Sequence, residues 1–78
     1  MVVNFRVQYQ AVVSGMLYPI VRYDNAHGHP HRDLLDANGD TIIKTPIGGT
    51  LAYALQTAIR DVKQNWRRYR ADFLRRMS

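Results

Sequence analysis

An α+β fold is predicted for this chain of 78 residues: a four-stranded antiparallel sheet made of two hairpins, packed against one long C-terminal helix in the order ββββα. Three observations predict it. Residues Val3 to Val13 alternate apolar and polar, Asn38-Gly39 separates two apolar runs, and apolar residues from Leu55 to Phe73 recur at helical spacing.

The first strand has Val3, Phe5, Val7, Tyr9, Ala11 and Val13 on one side, the period of a half-buried strand. Ser14-Gly15 offers a two-residue turn, which sets Val13 against Met16, Ala11 against Tyr18 and Tyr9 against Ile20. Pro19 has no ladder donor. Opposite Gln10 its missing N–H points away from the first strand, so the third strand is expected to pair imperfectly beside it. In the second hairpin Asn38-Gly39 predicts a type I′ turn that aligns Leu35 with Ile42, Leu34 with Ile43, and Asp33 with Lys44. Pro46 stops the fourth strand and Gly48-Gly49 turns the chain.

Thr50 is a suitable N-cap for the helix. Beyond it Leu55, Ile59, Val62, Trp66, Tyr69 and Phe73 follow at steps of 4, 3, 4, 3 and 4, one stripe on a helical wheel. No proline or glycine intervenes before Ser78, so the helix should run about 26 residues and about 40 Å. An ordinary strand spans only about 20 Å, and the far end of such a helix overhangs it. Leaving Trp66, Tyr69 and Phe73 in water would forgo about 1.5 to 3 kcal/mol each. A homodimer is expected to cover them, the alternative being long strands that curl around the helix.

A chain of this length makes one domain, residues 1–78, with a thin stability margin. It has no cysteine, which excludes disulfides and thiolate zinc sites and suits a cytoplasmic location. The N-terminus lacks a signal-peptide core, and no apolar stretch approaches the roughly 20 residues that cross a bilayer, so no membrane partner is expected. The charge is segregated. Residues 1–59 are balanced, whereas residues 60–78 hold seven cations against two carboxylates, which is the whole net charge of +5.

Chemistry concentrates in "RYDNAHGHPHRD", residues Arg22 to Asp33, with three histidines, two aspartates and two arginines. In an extended chain His27 and His29 lie about 6.7 Å apart, but His27 and His31 about 13 Å. One metal could gather all three only if the chain bends at Gly28 and Pro30; no metal and no cofactor is expected. Metal-independent cleavage of RNA needs a base for the 2′-OH, an acid for the leaving oxygen and a cation for the phosphorane. His27, His29 and His31 suit the first two roles, Arg22 or Arg32 the third, and Asp24 would orient an imidazole. The same residues also read as a structured loop, an Asx-type turn at Asp24-Asn25 followed by the rigid dipeptide His29-Pro30.

The "RYDNAHGHPHRDLLD" core, followed by a long helix with "NWRRYR", resembles a family of short uncharacterised prokaryotic proteins over most of the chain. More distantly, Arg22, Tyr23, Asp24, Asn25, Ala26, His29 and Pro30 are similar to a stretch of the TumE-type toxins of toxin–antitoxin modules. That resemblance implies action on RNA and a neutralising antitoxin-like protein partner.

On the helical wheel Arg60, Lys63, Arg67 and Arg70 occupy an arc beside and opposite the apolar stripe. Such a row matches a nucleic-acid backbone through sequence-independent, salt-sensitive attraction. Cations near a helix C-terminus also complement its dipole. Two functional expectations follow. One is a small basic RNA- or nucleic-acid-binding protein with toxin-like, metal-independent ribonuclease activity, and the other is a non-catalytic homodimeric interaction protein with a structural histidine loop.

Overall fold

The computed structural model describes residues 4–77, apart from the side chain of His27. Strands β1 (Arg6–Val13), β2 (Met16–Asp24), β3 (His31–Leu35) and β4 (Thr41–Pro46) form one antiparallel sheet in sequential order, and helix α1 (Leu51–Met77) follows. The expected ββββα architecture is present. The part of the first strand expected at Val3 lies outside the described residues. Phe5 precedes the strand and donates its N–H to Asn25 Oδ1 at 2.9 Å.

Ser14 (φ 52°) and Gly15 (φ 79°) both adopt the left-handed conformation, as a type I′ hairpin turn requires. Val13 pairs with Met16, Ala11 with Tyr18 and Gln10 with Pro19, but Tyr9 then pairs with Val21 instead of Ile20. Ile20 is the extra residue of a β-bulge beside the proline. The bulge lets Ile20 and Val21 both bury fully although they are adjacent in sequence. Strand β3 pairs with β2 only from Val21 to Asp24, which leaves Pro19 without a partner on that side.

The second hairpin keeps the pairs Leu34–Ile43 and Asp33–Lys44, while Leu35 faces Thr41 across a second irregularity. The turn differs from the type I′ expected at Asn38-Gly39. Gly39 N–H donates to the Asp36 carbonyl at 3.0 Å and Gly39 alone of the turn has positive φ, 84°, which is a longer turn ending in a left-handed glycine. The Asp36 carboxylate is the cause: it accepts from the N–H groups of Asn38 and Asp40 at 2.9 and 3.0 Å and holds the turn open.

Thr50 caps α1, its Oγ1 accepting from Tyr53 N–H at 3.1 Å. The helix has 27 residues. Its deepest line is Ala54, Ala58, Tyr69 and Phe73, rotated from the stripe expected through Leu55, Ile59, Val62 and Trp66, which are half-buried. The small side chains at Ala54 and Ala58 admit the helix close to the sheet.

The aromatics expected to overhang are covered within the chain. Trp66 meets Tyr9 edge-on at 6.2 Å, and Phe73, fully buried, meets Tyr18 at 5.6 Å. Strands of eight and nine residues reach far enough to do this. The helix lies over β1 and β2. All six residues of the edge strand β4 are exposed, including Ile42 and Ile43.

Candidate functional site

Alternation sorts the strand side chains onto two faces. Toward the helix point Val7, Tyr23, Arg32 and Thr45, aligned across the four strands by the ladder. Away from it lie two adjacent rows, Arg6–Asp24–His31–Pro46 and Gln8–Arg22–Asp33–Lys44. The segment Arg22–Asp33 thus contributes to both faces, because it leaves β2, makes a short 3₁₀ turn over Ala26–Gly28, and returns as β3.

On the open face His31 is buried between two buried carboxylates. Its Nε2 lies 3.0 Å from Asp24 Oδ1 and 3.3 Å from Asp33 Oδ2, and its Nδ1 donates to the His29 carbonyl at 2.9 Å. All these partners accept. Both ring nitrogens are thereby engaged by oxygen partners. Asp24 also accepts from Ala26 N–H at 3.1 Å, the Asx turn expected from the sequence, and from Arg6 at 3.4 Å. Asp33 Oδ1 is buried without a partner among the described residues.

Arg22 lies on the same face and donates through Nε to Gln8 Oε1 at 2.9 Å. His29 is exposed, and His27 sits in the 3₁₀ turn with its side chain outside the described residues. The structure therefore brings Asp24 and His31 into contact and holds Arg22 two residues along the same face. A cavity of about 470 Å³ opens there, lined by Ala26, His29, Pro30, His31, Lys44 and Pro46. Among the described residues no cluster of three or more metal-ligating side chains has the arrangement of a metal site.

A second polar cluster lies on the helix-facing side. Asp61 of α1 accepts hydrogen bonds from Tyr23 and Tyr69 on Oδ2 and from Asn65 on Oδ1 at 2.7 Å. Arg32 donates to the Tyr69 hydroxyl at 3.1 Å and to Thr45 Oγ1 at 3.3 Å. Its Nε is buried without a partner among the described residues. Burial pushes the Tyr23 hydroxyl far above its ordinary range, and the bonded Asp61 and Tyr69 push it further. Burial also works to raise Asp61, but the hydrogen bonds from Tyr23, Tyr69 and Asn65, with the Arg32 charge nearby, outweigh it and hold the carboxyl low. Sequence reading missed this cluster. Asp61 entered it only as one of the two carboxylates in the charge balance and Tyr69 only as part of the apolar stripe, and only the helical offset of Asp61 from Ala54, Ala58 and Tyr69 could have placed it inward.

Arg60, Lys63, Arg67 and Arg70 are all exposed along the outer side of α1, about 15 Å from first to last. Arg67 stacks on Trp66, 4.5 Å from the ring centre. Because the helix covers one sheet face and the histidine cavity opens on the other, this row and that cavity occupy opposite sides of the molecule.

The arrangement defines a class: a two-layer α+β protein with a cationic helix outside, a polar network at the layer interface, and a histidine–carboxylate cluster on the open face of the sheet. The chain belongs to the family described as Domain of unknown function (DUF7718), whose model matches residues 1–78. No curated protein and no solved structure matches it. No described helix is long and apolar enough to cross a membrane.

Proposed function

We propose that the protein binds nucleic acid, with RNA as the first candidate, along the outer face of α1. The observation that carries this reading is the exposed row Arg60, Lys63, Arg67 and Arg70, in the quarter of the chain that holds the entire excess charge. Four phosphate contacts to a single strand predict a log–log salt slope of about −3. Changing all four residues to glutamine should remove most of the affinity and flatten that slope. Affinity independent of salt would defeat the proposal.

The geometry favours binding over cleavage. His31, with both ring nitrogens engaged, acts as a brace between β2 and β3, in keeping with the structural histidine loop. Metal-independent cleavage in the manner of the TumE-type toxins would fall to exposed His29, with Arg22 at the phosphate. An RNA cleavage assay with and without chelator, on wild type and His29→Ala, separates the readings: a binder leaves RNA intact in all four arms.

We further propose self-association through the β4 side, where exposed Ile42 and Ile43 lie on an unpaired sheet edge. Light scattering at tens of micromolar should give a dimer for wild type and a monomer for Ile43→Lys. A monomeric wild type overturns it.

A further inference from the structure

The histidine cavity is on the wrong side of the molecule to serve a nucleic acid laid along α1, and its lining suits another ligand. We propose that it is a separate binding site for a small aromatic acid, a flat ring carrying a phosphate or carboxylate. This inference stands apart from the nucleic-acid reading.

Three features support it. First, the walls are apolar and stiff. Ala26, Pro30 and Pro46 supply them, and the Ile47 N–H donated to the Pro30 carbonyl at 3.0 Å ties the two proline-bearing segments together. Proline faces without freely rotating side chains receive a flat ring at little entropic cost. Second, two polar groups of the lining are free to receive an anion. Among the described residues no carboxylate makes an ion pair with Lys44, although Asp33 faces it across the ladder, and the exposed His29 ring makes no hydrogen bond, its backbone carbonyl alone being used by His31. Third, the remaining lining group is fixed. His31 is clamped by Asp24, Asp33 and the His29 carbonyl, so it shapes the cavity without changing position.

The volume, about 470 Å³, falls inside the range of small-molecule pockets, roughly 300 to 1,000 Å³. The local charge suits an anion as well. Asp24 is engaged by His31 and Arg6 and Asp33 by His31 through Oδ2 alone, while Lys44 and Arg22 add positive charge on the same face. An inorganic anion would forgo the proline walls, and a neutral ring would forgo Lys44.

Phenyl phosphate is the test ligand, followed by NMR titration of the full chain, with inorganic phosphate and phenol as the two half-ligands. The expected result is shifts centred on Ala26, His29 and Lys44, and affinity at least about tenfold above either half-ligand. Lys44→Gln, a surface change, should weaken phenyl phosphate about tenfold. Ala26→Leu, which fills the cavity from the exposed 3₁₀ turn, should abolish binding with an unchanged circular dichroism spectrum. Shifts confined to the helix arginines, equal affinity for inorganic phosphate, or full affinity in folded Lys44→Gln would each overturn the site. A quadruple glutamine variant of the helix row should bind phenyl phosphate like wild type, so failure of one proposal is visible separately from failure of the other.

Discussion

His31 is held by partners that come from three positions in a short stretch of chain, and removing its ring would leave Asp24 and Asp33 buried with their shared donor gone. Losing one member of a buried ionic cluster costs about 3 to 5 kcal/mol. His31→Ala should therefore cost a large share of the stability of a domain this small, read as a lower urea midpoint; a loss below about 1 kcal/mol would show that the two carboxylates do not depend on it. Tyr23 and Asp61 govern the two ends of the pH range. Asp61 has a lowered folded pKa, so it contributes stability above its unfolded value near 4, and that contribution is lost as pH falls through the folded value. Tyr23 has a raised one, so its contribution is complete below about pH 10 and erodes above it, where the unfolded chain releases a proton that the folded chain retains. Thermal melts across pH should show Asp61→Asn flattening the acid limb and Tyr23→Phe flattening the alkaline limb. Parallel limbs in wild type and both variants would refute the assignment.

At the level of elements, local chemistry was legible and long-range chemistry was not. The Ser14-Gly15 turn, the Thr50 cap and the helix from Leu51 to Met77 follow from residues within a few positions of one another. The register beyond Pro19 does not, because a bulge at Ile20 is decided by how two adjacent apolar residues both reach the core. The turn at Asn38-Gly39 was misread for a related reason: the Asp36 carboxylate competes for the backbone N–H groups that a tighter turn would use otherwise. Ala54 and Ala58 are neutral on a wheel yet sit deepest, since close approach of helix to sheet selects small residues over large ones. The site divides the same way. His29 and His31 are two residues apart and line one cavity, whereas the bonds Arg32–Tyr69 and Tyr23–Asp61 join residues 37 and 38 apart, beyond any local spacing rule.

For the whole molecule the two layers separate the two proposed binding surfaces. The cationic row faces solvent on the far side of α1, the cavity opens on the far side of the sheet, and between them lies the core with Ile20, Val21, Tyr23, Ala58 and Phe73 all buried. Perturbations at well-separated positions without shared partners add to within about 0.3 to 0.5 kcal/mol. Nucleic-acid affinity should then fall by the same factor when Arg67 and Arg70 are neutralised, whether Lys44 is lysine or glutamine. Occupancy of the cavity by phenyl phosphate should leave nucleic-acid affinity unchanged. Coupling larger than that limit has a physical route through the core, from His31 and Asp24 on β2–β3 through Tyr23 and Arg32 to Asp61 and Tyr69 of α1, because Tyr23 neighbours Asp24, Arg32 neighbours His31, and each bonds the helix directly. Tyr23→Phe would then weaken the coupling while leaving both affinities near their wild-type values, an outcome that a second binding mode on the helix itself would not produce.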